Sequence, residues 1–172
     1  MKKNKTKAIA FSGIATSVIL ILLFLAGIIE VLDYTACAIC GLIVTFILVE
    51  FGTSSAIGVY ISSSILSLII IPSKIATVLF IAFCGWYSFI KRYLERIRKP
   101  FDFILKMLIF NTALFIIYTL SKFVFIIENE STLVLLALLV VSNFTFIIYD
   151  TLITKLIWLY VNVYRKKLKF LK

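Results

Sequence analysis

Any chemistry in this chain would fall to very few side chains. Among 172 residues there is no histidine, and Asp and Glu together number only 8. Without an imidazole there can be no His-based triad, no His-ligated zinc and no H-E-x-x-H protease helix. The acids of interest are Glu50 and Asp150, which border long apolar runs, with Lys155 a little beyond the second. Neither sits in a recognised catalytic sequence. They fit interfacial anchoring, a pair with Lys155 or a loop arginine, or a polar cluster inside a helix bundle. A charge buried in a bilayer costs about 2.5–3.5 kcal/mol on insertion scales, so such a cluster is rarely kept without a role. Asn111 and Asn143 add two amides expected to face a bundle interior. Cys37 and Cys40 have the C-x-x-C spacing, but no second pair completes a metal site, and Cys84 stands alone. Small packing residues, or less simply a redox pair, account for them. The chain is expected to be no enzyme and to need no metal or cofactor.

The elements that would position these groups follow from composition. Hydrophobic residues make up 63% of the chain and the mean hydropathy is +1.15. A soluble domain of this size leaves about a third of its surface wet and cannot hide that many apolar residues. The bilayer has to be the solvent. Charges leave six uncharged stretches, 8–29, 34–49, 51–73, 75–90, 107–121 and 131–149. A helix of roughly 20 residues crosses a hydrocarbon core of about 30 Å. Three stretches reach that length; the short ones are flanked by lysines that can snorkel to the interface. Six spanning helices are expected, at about 8–32, 34–50, 52–71, 74–97, 101–126 and 131–164, with five as the competing count. Together they make one all-α integral membrane domain over 1–172.

Basic residues set the orientation. Lys2, Lys3, Lys5 and Lys7 precede the first run, a cluster from Lys91 to Lys99 divides the fourth and fifth, and another runs from Arg165 to Lys172. By the positive-inside rule all three are expected in the cytoplasm, which requires an even number of crossings on each side of the central cluster; four before it and two after it satisfy that. The net charge of +10 is thus a topology signal. Because the cations are split among juxtamembrane positions instead of forming one face, no nucleic-acid partner is expected; anionic lipid is. The first run is too long for a signal-peptide core and lacks a small-x-small cleavage site. Pro72 and Pro100 fall where helices should stop or start. Residues 151–172 either continue the sixth helix or bend to lie on the inner surface.

Two helices carry patterned polar or small residues. In the first, Ala8, Ser12 and Thr16 recur four apart, with Gly13 and Ala15 beside them, a face on which another helix can approach closely. That face serves internal packing equally well. The third carries Ser54, Ser55, Ser62, Ser63, Ser64 and Ser67 with Tyr60. These hydroxyls either glue helices together or line a solute cavity opening outward. Tyr34, Tyr118, Ser121 and Lys122 would contribute to such a cavity from the outer ends of their helices.

Several stretches resemble the substrate-binding S components of energy-coupling factor (ECF) vitamin transporters and S-component-like membrane proteins of Gram-positive bacteria. These are Val49-Glu50-Phe51-Gly52, Ser64-Ile65-Leu66-Ser67-Leu68 ahead of Pro72-Ser73-Lys74, Phe83-Cys84-Gly85-Trp86-Tyr87, and Asn143 through Tyr149-Asp150-Thr151-Leu152-Ile153-Thr154. The resemblance implies six helices, both termini cytoplasmic, in the plasma membrane. It further implies an Ala-x-x-x-Ala docking pattern on helix one, matched here by Ala8 and Ser12 and continuing through Ala15 and Thr16. The implied partners are a transmembrane coupling subunit, ATPase subunits that perform any ATP hydrolysis, and a vitamin or other small solute bound near Tyr34, Ser63, Ser67, Tyr118 and Lys122. The rod-shape-determining membrane proteins of cell-wall synthesis are similar in size and basic flanks, and imply an assembly factor without a solute.

Overall fold

In a computed structural model of the protein, residues 2–29, 32–71, 74–95, 101–125 and 132–164 are described. All the regular structure among them is helical. Seven α-helices follow in order: α1 (Lys2–Ile28), α2 (Asp33–Phe51), α3 (Thr53–Ile70), α4 (Lys74–Leu79), α5 (Gly85–Leu94), α6 (Phe101–Phe125) and α7 (Thr132–Leu159). A π turn, Phe80–Cys84, joins α4 to α5 without a break in the helical backbone, and a second, Tyr160–Tyr164, continues α7. Five helices are long and apolar enough to cross a membrane: α1, α2, α3, α6 and α7. The fourth stretch of the sequence is instead divided by its π turn.

The stops have local causes. Ile71 is extended (φ −87°, ψ 124°), as the residue before a proline prefers. Gly52 closes α2 and opens α3 at φ 88°, ψ 177°, a region reached almost only by glycine. Asp33 stands in the first turn of α2 and Asp102 in that of α6, while Lys91 and Arg92 occupy the last turn of α5. Each sign opposes the charge of its helix end.

The chain forms two compact units, residues 1–126 and 127–172. In the first, α1 packs on α2 and α3, α2 also on α3, α4 and α5, and α6 on α5. Ala15, Ile19, Leu23 and Ala26, spaced three or four apart, form the buried side of α1. They meet a core that includes Cys37, Cys40, Val44 and Ile47 of α2, Ala56 and Val59 of α3, and Ala76 and Phe80. Alanines at 15, 26, 36, 56 and 76 let the backbones draw together where lipid gives no hydrophobic drive. The outer sides are as apolar as the inner ones: Ile14, Ile21 and Ile69 are 61%, 59% and 75% exposed. An apolar exterior of this kind suits lipid and not water.

The second unit is α7 with its terminal π turn. The helix continues through Asp150 and Lys155, so residues 151–159 extend it; residues 165–172 lie outside the described part. Its 28 residues would span about 42 Å at the α-helical rise, more than a bilayer's apolar thickness.

Candidate functional site

Polar groups in the first unit gather at three helix junctions. The first joins α1 to α3. Thr16 Oγ1 donates to the carbonyl of Ser12 at 2.9 Å and shares a 3.2 Å hydrogen bond with Ser62 Oγ. Ala15 is buried, and Ala8, Ser12 and Thr16 are half-buried. The expected small-residue face is thus spent, through Ala15 and Thr16, largely on contact within the protein. Ala10, Gly13 and Ser17, on another side of the same helix, are exposed.

The second junction joins α2 to α5. Thr45 and Ser88 are hydrogen-bonded through their hydroxyls, and Thr45 also donates to the Gly41 carbonyl at 2.8 Å. Both residues are buried. Lys91, one turn beyond Ser88 and therefore on the same side of α5, is only 1% exposed.

From Lys91 begins the third junction, a charged cluster linking α5 to α6. Lys91 Nζ lies 3.3 Å from Glu95 Oε1, and Lys106 Nζ lies 3.9 Å from that oxygen and 3.0 Å from Asp102 Oδ2. Among the described residues each of these cations faces an anion, as charges that have left water require. Lys106 and Asp102 are buried, while the Glu95 side chain keeps contact with solvent. Counting Lys91–Lys99 as a basic cluster does not reveal this arrangement. The i,i+4 spacing of Lys91 with Glu95 and of Asp102 with Lys106 was the available signal.

Of the α3 serines, Ser63, Ser64 and Ser67 are buried, Ser55 and Ser62 are half-buried and Ser54 is exposed. Ser63 and Ser67 have no exposed surface; Ser63 donates to the Val59 carbonyl at 2.7 Å and Ser67 to that of Ser64 at 2.9 Å. Tyr34 and Tyr118, by contrast, are exposed. These four residues do not share one accessible lining. Lys122 belongs to α6, and its side chain lies outside the described residues. Glu50 is half-buried at the end of α2. Asn111 is half-buried and donates to the Met107 carbonyl at 2.9 Å.

In the second unit Asn143 donates to the Leu139 carbonyl at 2.8 Å, Asp150 is half-buried and Lys155 is exposed. Asn111 and Asn143 thus direct an amide N–H one turn back along their own helices.

The three cysteines carry free thiols. Cys37 and Cys40 are buried in the core with Cys84 packed against it, and Cys40 Sγ donates to the Ile19 carbonyl at 3.8 Å. All three act at contacts between helices, a use the C-x-x-C spacing by itself does not reveal.

No family model, no curated protein and no solved structure matches this chain.

Proposed function

We propose that the protein is a six-crossing plasma-membrane subunit with both termini in the cytoplasm, acting as the solute-binding partner of an ECF-type ATP-driven uptake module. Residues 74–94 supply the fourth crossing in chain order, in addition to α1, α2, α3, α6 and α7, with Lys74 and Lys91 at its ends. ATP hydrolysis belongs to partner subunits, and the cargo is a vitamin or comparably small solute.

One observation carries the reading: the division of α1 into two sides. Ala15, Ile19, Leu23 and Ala26 are turned inward, whereas Ala10, Gly13 and Ser17 are exposed, and a Cβ built on Gly13 meets nothing within 4 Å. A second membrane helix can therefore approach the first half of α1 closely, as a coupling subunit would. Ala8 and Ser12 border that strip. The decisive experiment is affinity purification of the tagged chain from its native membrane. Association with an ATPase module, lost on Gly13→Leu, supports the proposal, as does a small molecule retained by the complex. Purification alone and empty, with no change on Gly13→Leu, overturns it.

The burial of Ser63 and Ser67 favours a second reading, a non-transporting scaffold like the rod-shape-determining proteins. Under it the chain brings down cell-wall synthesis proteins, and no solute.

A further inference from the structure

The helical rod from Lys74 to Leu94 changes pitch in its middle. Between Phe80 and Cys84 it widens into a π turn, which holds about one residue more than an α turn. Nothing in Phe80-Ile81-Ala82-Phe83-Cys84 requires this, because none of these residues is a helix breaker. What holds the turn comes from around it. The Tyr60 hydroxyl, on α3, donates to the Ile81 carbonyl at 2.9 Å, and Trp86 Nε1 donates to the Ala82 carbonyl at 2.7 Å. The Gly85 N–H closes the turn on the Phe80 carbonyl. Gly85 also makes room for the Tyr60 ring: a Cβ at this position would stand 2.5 Å from Tyr60 Cδ2 and Cε2. Phe80 and Phe89 flank that ring, with centroids 6.0 and 6.4 Å away.

We propose that the π turn is a register switch in the membrane domain and that Tyr60 is its catch. Absorbing the extra residue into a regular α-helix turns α5 by about 100° relative to α4. Tyr87 then takes the angular position of Ser88, Ile90 that of Lys91, and Lys91 that of Arg92, which is exposed. The Thr45–Ser88 bond and the reach of Lys106 to Glu95 are lost together. The switch thus couples one hydroxyl on α3 to the uncovering of a buried cation at the end of α5. Both registers keep the backbone of the rod hydrogen-bonded, a condition any bistable element in lipid must meet.

The test is oxidative cross-linking in membrane vesicles, with Cys37, Cys40 and Cys84 replaced by Ala. Thr45→Cys is paired with Ser88→Cys to report the observed register, or with Tyr87→Cys to report the alternative. With Tyr60 intact, the Ser88 pair cross-links and the Tyr87 pair does not. Tyr60→Phe removes the catch and Gly85→Ala expels the ring; each should lower the Ser88 yield several-fold and raise the Tyr87 yield. Deleting Ala82 removes the extra residue while leaving Ser88 in its observed position. In that background Tyr60→Phe should leave the Ser88 cross-link intact. If the Ser88 pair remains the sole product in both variants, the proposal fails. It fails equally if Tyr60→Phe abolishes both cross-links and the deletion does not restore one, since the hydroxyl would then support folding and not register.

Discussion

Lys106 and Asp102 bind each other at 3.0 Å, one turn apart on α6, with only 5% and 11% of their side chains exposed. Lys106→Met leaves Asp102 as a buried charge without that partner, a change that costs about 3–5 kcal/mol when a buried pair is broken. The double change Lys106→Met with Asp102→Asn removes both charges and should recover much of the loss. Thermal unfolding of the detergent-purified protein measures both. Equal losses in the single and double variants would show that the pair is not the stabilising unit.

Thr77 is fully buried on α4, and its hydroxyl has no hydrogen-bond partner among the described residues. Thr77→Val keeps the branched shape and removes the orphan group. A buried hydroxyl without a partner costs about 1–3 kcal/mol, so the variant should melt higher than the parent protein. A lower midpoint would mean that the hydroxyl is satisfied.

Gly52 and Gly13 should respond oppositely to alanine. At φ 88°, ψ 177° the backbone of residue 52 is strained for any side chain, and Gly52→Ala should cost about 1–3 kcal/mol. Gly13 lies within α1 with open space where a Cβ would go, and Gly13→Ala should raise stability by about 0.5–1 kcal/mol through helix propensity. The two melting curves, run side by side, decide it.

The two sides of α1 are separated by leucine substitutions. Ala15→Leu pushes a larger side chain into the packed interior and should cost about 1–3 kcal/mol. Gly13→Leu should leave the isolated protein at least as stable as before and impair only the capture of a partner in affinity purification. A common loss of stability in both would remove the case for an open docking side.

Much of the fold was legible because single residues act locally. Pro72 fixes an extended Ile71, and the spacing of charges isolates the apolar runs that become α1, α2, α3, α6 and α7. The π turn was not legible, since its five residues are apolar and the Tyr60 hydroxyl that bonds its Ile81 carbonyl comes from another helix. The division of α1 was only half legible: four-residue spacing placed Ala8, Ser12 and Thr16 on one side, but could not say that Ser62 would occupy it. Charge counted by segment shows Lys91 only as one of a basic cluster, whereas its burial goes with the ion pair to Glu95 and with packing around it.

The habit of hydroxyl side chains donating one turn back bears on biogenesis. On α7, Thr145, Thr151 and Thr154 bond the carbonyls of Val141, Ile147 and Asp150. A threonine masked in this way presents mostly its methyl group to acyl chains. The translocon would then release α7 sideways almost as readily as an unbroken aliphatic segment, and exchanging these threonines for valine should alter insertion efficiency very little.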